Sequence, residues 1–209
     1  MDEWFSGEIQ PLLKGRSFIV RYADDYVLGF SDEQDAKRVM DVLPKRFEKY
    51  KLTLHPDKTR LIDLYSKSGD GKRCFDFLGF THFLAKSLKG KLVLKRKTSS
   101  KKFTKAIGNT EKWIKENRGE KLKPLIKALN IRLRGHYNYY GITFNTVGVR
   151  RFYFVVKRCL FKWLNRRGGK RVWTWDRFTL LVLKWTPLLF PKIVHSFIPA
   201  NPILEEPHA

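Results

Sequence analysis

Over the first third of the chain, apolar positions fall in short runs, and over the rest they recur at helical spacing. Residues 17–21 (SFIVR) and 26–30 (YVLGF) are rich in strand formers and flank Ala23-Asp24-Asp25. That pattern predicts a strand–turn–strand hairpin with an acidic pair at its tip. Ser31 or Asp32 then caps a helix with Glu33, Gln34 and Asp35 in its first turn and Ala36, Val39, Leu43 and Phe47 on one face. Pro44 is expected to kink or interrupt it. Residues 51–62 (KLTLHPDKTRLI) predict a strand, a proline turn and a second strand. Residues 66–73 (SKSGDGKR) predict a loop, and residues 75–83 return to strand character.

Beyond that point the periodicity is mainly helical. Ser99 or Ser100 caps a helix with Phe103, Ile107 and Ile114 on one face, ending near Asn117-Arg118-Gly119. Pro124 suits the first turn of a second helix, with Leu125, Leu129, Leu133 and Tyr137 or Tyr140 inward. A third spans about residues 147–165, with Val149, Phe152, Val156, Leu160 and Trp163 or Leu164 inward, before a break at Gly168-Gly169. A last short helix starts near Trp175-Asp176, and the proline-rich tail from Pro199 is expected to be poorly ordered.

Charge divides the chain in the same place. Residues 1–80 hold 14 Lys/Arg against 14 Asp/Glu, whereas residues 81–209 hold 29 against 6 and carry the whole net charge of +23. So large an excess repels itself and points to a polyanionic partner, nucleic acid ahead of an anionic membrane surface or an acidic protein. The two cysteines, Cys74 and Cys159, are far apart and form no Cys-x-x-Cys pair, which argues against a disulfide framework or a zinc ribbon. The acidic opening is no signal peptide, and no run of about 18 apolar residues could span a membrane. A reducing, cytoplasmic location without membrane contact is the resulting expectation.

Arg21-Tyr22-Ala23-Asp24-Asp25-Tyr26 is the segment richest in candidate chemistry. Adjacent carboxylates on a rigid hairpin suit Mg²⁺, which takes one or two carboxylates plus substrate phosphate oxygens. The dipeptide alone is equally a solvated turn, because aspartate favours turns. The full string FIVRYADDYVLGF, residues 18–30, resembles the Tyr-x-Asp-Asp motif of reverse transcriptases, in the group II intron variant with alanine at x. Further similarities follow in order. Residues 52–60 (LTLHPDKTR) resemble the next palm motif, with Lys58 at its lysine, and residues 75–80 (FDFLGF) resemble the primer-grip motif. Residues 129–135 (LNIRLRG) with 138–140 (NYY) resemble the hallmark of the maturase-specific domain.

The resemblance implies an α+β fold. A partial polymerase palm would occupy residues 1–83, an all-helical thumb and maturase-type domain 84–198, and a tail 199–209. It implies that Asp24 and Asp25 hold catalytic Mg²⁺ and that Lys58 stands near the leaving pyrophosphate as acid or charge clamp, although spacing alone leaves Lys58 a surface lysine. Gly79 would let the backbone approach a primer strand. The implied partners are structured group II intron RNA and primer–template duplex. Arg96, Lys97, Lys101, Lys102, Arg132, Arg134, Arg150, Arg151, Arg166 and Arg167 are candidate phosphate contacts, with Lys170 and Arg171 beside them. Tyr137 and Tyr139 are candidate base-stacking rings, whereas Tyr140 and Trp163 read as core.

The same family's palm needs a third metal-binding carboxylate and nucleotide-clamping residues upstream of the hairpin. Only 23 residues precede Asp24, and Asp2, Glu3 and Glu8 fall in a helix-like stretch. The expectation is that this chain alone does not polymerise DNA. It would be half of a split enzyme completed by an upstream polypeptide, an RNA-binding splicing cofactor without DNA synthesis, or a gene remnant.

Overall fold

The structure is a computed structural model that describes residues 1–65, 73–87, 89–168 and 173–196. Most of the 66–73 loop, Gly169, Lys170, Arg171 and the tail lie outside those residues. The fold is α+β and divides into two compact units, Met1–Leu78 with His82–Leu94, and Gly79–Thr81 with the chain from Lys95 on. The boundary expected at 83/84 falls inside a strand, β4 (Phe80–Lys86).

The first unit opens with α1 (Asp2–Trp4), which passes through a π-helical turn (Phe5–Ile9) and a 3-10 turn (Gln10–Leu12). β1 (Ser17–Tyr22) and β2 (Asp25–Phe30) then pair antiparallel from Ser17↔Phe30 to Tyr22↔Asp25. Ala23 and Asp24 remain as a two-residue loop, with Ala23 at φ 51°, the left-handed start that hairpin turns favour. Ile19, Leu28 and Phe30 pack on one face against buried Trp4, Phe5, Val39 and Leu43. On the other face Phe18, Val20 and Tyr22 are 56%, 47% and 66% exposed. The Phe18 ring lies across Gly29, filling the space that a side chain there would need.

α2 (Glu33–Glu48) begins at Asp32, whose side chain accepts from the Asp35 N–H at 2.9 Å. Buried Asp35 in turn accepts from Gly15 N–H at 2.8 Å, tying the loop before β1 to the helix. The expected interruption at Pro44 does not occur, and the helix runs through it. Proline removes one ladder bond, while buried Leu43 and half-buried Phe47 anchor the helix on either side. The two strands expected within residues 51–62 are also absent. Among the described residues β1 and β2 pair only with each other, so this segment has no ladder to join. Its proline turn is present, with Lys58 and Thr59 N–H both donating to His55 O at 3.1 and 3.0 Å.

A second sheet has the order β3 (Cys74–Phe77), β4, β5 (Leu92–Thr98). β3 turns into β4 through Leu78 and Gly79, at φ 49° and 79°, so Gly79 serves the tight turn. β5 corrects the expectation of an all-helical second half and places Arg96 and Lys97 on a strand. Its short apolar run Leu92-Val93-Leu94 was hidden in sequence by the Lys91 and Lys95-Arg96-Lys97 cations that flank it.

The second unit is built on α3 (Ser100–Glu116), α4 (Leu122–Tyr140), α5 (Thr146–Leu164) and the short α6 (Trp175–Leu180). The Ser99 side chain caps α3 at Lys102 N–H, and Thr174 caps α6 at Arg177 N–H. Ile114, Leu125, Leu129, Leu133, Val149, Phe152, Val156 and Leu160 form the core at the predicted spacing, joined by Ile126, which the sequence reading did not name. Each fully buried aliphatic side chain contributes roughly 1.5–3 kcal/mol from area removed from water. Among the described residues no helix is long and apolar enough to cross a membrane.

Candidate metal-binding hairpin and nucleic-acid surface

Asp24 sits in the two-residue loop and Asp25 begins β2 opposite Tyr22. Both are exposed, and among the described residues neither joins an ion pair. Arg21, three residues before Asp24, is neutralised elsewhere. Its Nη2 lies 2.6 Å from Asp2 Oδ2, and its Nε donates to Asp2 Oδ1 and Oδ2 at 2.9 and 2.8 Å. Its Nη1 donates to Ala23 O at 3.3 Å, bracing the loop itself. The Arg21 hydrogen bond, with its positive charge, holds the Asp2 carboxyl below its ordinary pKa. The tip is thus braced by a cation whose charge is spent on Asp2, leaving the Asp24 and Asp25 carboxylates open to a ligand.

Those oxygens fit part of a Mg²⁺ site, since a hard cation accepts carboxylate oxygens and keeps positions for water and phosphate. They do not complete a protein cage: no group of three His, Cys, Asp or Glu able to hold a metal exists among the described residues. Asp2, the carboxylate tied to this hairpin, is held by Arg21. Lys58 is exposed in the Pro56 turn, and no hydrogen bond or ion pair joins it to either aspartate among the described residues.

In the second unit Lys101 and Lys102 are exposed in the first turn of α3, which contains no acid. Cations there oppose the positive end of the helix dipole, an arrangement that an external anion relieves. Arg134 and Arg150 are exposed, while Arg132 lies 4.6 Å over the Trp113 ring and Arg151 5.3 Å over Phe103. Arg167 donates from Nη2 to Glu120 O at 2.9 Å, and burial lowers its pKa.

Trp163, expected in the core, packs against it and is only half-buried. Its ring carries Lys115, Arg118, Lys162 and Arg166 at 5.2 to 5.8 Å, while buried Leu164 takes the inward position. Lys115 and Arg118 were missed from sequence because helix α3 and helix α5 meet only in space. Glu111 accepts from both Lys162 Nζ at 2.7 Å and Trp163 Nε1 at 3.2 Å, and Lys162 holds its pKa down.

Of the two tyrosines offered for stacking, only Tyr139 is open. It is 52% exposed, with its ring stacked 5.7 Å from Phe80. Tyr137 is buried and donates its hydroxyl to Leu189 O at 3.1 Å; burial raises its pKa far above the usual range. It is a core residue, because it continues the Leu125–Leu129–Leu133 row at i+4.

Residues 3–82 match the family model described as reverse transcriptase (RNA-dependent DNA polymerase). The matched segment contains the Asp24–Asp25 hairpin, α2, the Pro56 turn and β3. It supports RNA-directed DNA polymerase chemistry in general, a nucleotidyl transfer on an RNA template and primer. The reverse transcriptase match ends before the basic helices begin. No curated protein matches the chain.

Proposed function

We propose that this chain is the distal palm, thumb and RNA-binding portion of a group II intron-type reverse transcriptase and maturase. The observation that carries the reading is the pair of solvent-presented carboxylates on a braced hairpin tip, without an ion pair among the described residues, within the segment similar to reverse transcriptases. Asp24 and Asp25 would hold Mg²⁺, which supplies electrostatic stabilisation of the attacking and leaving oxygens in nucleotidyl transfer. Arg21 positions the tip, and Lys58 neutralises the departing pyrophosphate. The basic second unit holds structured intron RNA and primer–template duplex through Arg134, Arg150, the lysines opening α3 and the guanidiniums over Trp113 and Trp163. The third metal ligand comes from a palm segment outside residues 1–209, whether continuous with them or on a separate polypeptide.

Primer extension on an RNA template with Mg²⁺ tests this reading. Residues 1–209 alone should give no product, and addition of the complementary palm and fingers polypeptide should restore it. Asp24→Ala should then abolish extension without altering RNA binding. Robust synthesis by residues 1–209 alone, lost in Asp24→Ala, would overturn the need for an outside ligand. The lack of a three-ligand group among the described residues also favours a second reading, an RNA-binding splicing cofactor without DNA synthesis. Under that reading the complementing polypeptide restores nothing, while intron splicing still responds to the chain.

A further inference from the structure

The outward face of α5 carries exposed apolar side chains that the core does not explain. Val147 is 79% exposed and Phe154 53%. Arg150, Arg151 and Arg158 stand among them at helical spacing, all exposed. Together with Val155 these residues line one open groove of about 560 Å³. α5 contains five cations and no acid, and among the described residues its only ion pair is Lys162 with Glu111, in the adjoining pocket that shares Val155 and Arg158 with this groove. Buried Tyr153 meets the Phe154 ring edge-on at 5.4 Å and helps to hold it in place.

We propose that this groove binds an unpaired nucleotide of single-stranded RNA, with the base on the Phe154 ring. The flanking phosphates lie on Arg150 and Arg151 to one side and on Arg158 to the other. A helical rise of about 1.5 Å per residue puts Arg151 roughly 4.5 Å, and Arg150 and Arg158 roughly 6 Å, along the axis from Phe154. The phosphate–base–phosphate order of a strand is thereby matched by an arginine–aromatic–arginine order on the helix. Guanidinium forks suit phosphate oxygens, and every base has a face that stacks on an aromatic ring. A paired base is stacked inside its duplex and cannot reach Phe154, so the site selects loops, bulges and single strands. The inference rests on the RNA-binding reading above and adds which form of RNA this face takes.

The test uses the full chain with two labelled probes, an oligouridine strand and a blunt RNA duplex of equal length. Phe154→Ala should weaken strand binding by about tenfold, with duplex binding unchanged and the salt dependence preserved. Phe154→Tyr should keep the wild-type affinity. Arg158→Gln should lower the salt slope on the strand by about one. Thermal melting of each variant checks the fold, which an exposed side chain leaves intact. Equal weakening of both probes by Phe154→Ala would overturn the selectivity for unpaired bases. Wild type that binds both probes while Phe154→Ala has no effect removes this assignment alone. Wild type that binds neither probe removes the RNA-binding reading, and this inference with it.

Discussion

Arg21 closes a two-pronged ion pair on Asp2, with Nε 2.8 Å and Nη2 2.6 Å from the same carboxylate oxygen, three residues before the Asp24 carboxylate. The pair joins the start of the chain to the last turn of the hairpin. It also keeps Arg21 from folding onto Asp24 or Asp25. Arg21→Gln should therefore speed amide exchange at Tyr22 and Asp25 while leaving exchange in α2 unchanged. Because the Asp2 pKa is lowered, the brace is complete above about pH 3.9 and is lost as pH falls through the lowered value. Both groups are exposed, so added salt should mimic part of the effect. Exchange rates at the tip that ignore pH, salt and Arg21→Gln alike would show that the hairpin needs no brace.

Asn145 organises the second unit without appearing in any motif. Its buried side chain accepts from Thr98 N–H at 3.0 Å and donates to Thr98 Oγ1 and Tyr140 O, both at 2.8 Å. One amide thus joins the end of β5, the end of α4 and the start of α5. Asn145→Ala leaves a buried donor and acceptors unsatisfied, a cost of roughly 2–4 kcal/mol. Asn145→Asp should be at least as damaging, since it buries a carboxylate charge against the Tyr140 carbonyl, which can only accept. Urea unfolding measures both, and a midpoint within error of wild type for Asn145→Ala would refute the role.

His136 lies face to face with Phe152 at 3.6 Å, and its buried Nε2 has no hydrogen-bond partner among the described residues. Burial lowers its pKa to about 4. The unfolded chain protonates this imidazole near its ordinary value of about 6.5, so between the two values the unfolded state binds the extra proton. Its contribution to stability is whole above about pH 6.5 and is lost as pH falls towards about 4. His136→Phe, which keeps the stack and removes the titration, should flatten the melting temperature across that window. An unchanged pH profile in this variant would show that folding does not shift the His136 pKa.

What was legible in the sequence shares one property: it is encoded locally. The Asp24–Asp25 hairpin rests on two strand-forming runs around a turn, and α3 on Ser99 followed by apolar positions at i+4. What was hidden depends on distant partners. Residues 51–62 have strand composition but no neighbouring edge, and β5 has a partner that its lysine-rich string did not suggest. Pro44 reads as a breaker, yet packing of Leu43 and Phe47 overrides the lost hydrogen bond. The site divides in the same way. The carboxylate pair is contiguous, so its place at a hairpin tip was readable, whereas Lys115 of α3 and Lys162 of α5 meet over Trp163 only in space. Phe154 and Arg158 were written at helical spacing, and only their exposure distinguishes them from core.

The electrostatic basis of RNA binding makes a further measurable claim. Neutralising each phosphate releases condensed counterions, so log affinity of the full chain for structured RNA should fall linearly with log salt. A slope equivalent to roughly 5–8 phosphate contacts is expected for an interface of this kind. Arg132 and Arg134 reach solvent from the same helix, Arg132 across Trp113. Replacing both by Gln should lower the slope by about one to two. The tyrosines should behave differently from the arginines and from each other. Tyr139→Ala removes an open ring and should weaken binding with the slope kept, provided a base stacks on it. Tyr137→Ala empties a buried position and should cost roughly 3–5 kcal/mol of stability, so its binding defect should disappear at temperatures where the variant is folded. Filter binding across a salt series, paired with melting curves for every variant, separates the three behaviours. A flat salt response in wild type would leave the +23 net charge without a nucleic-acid role.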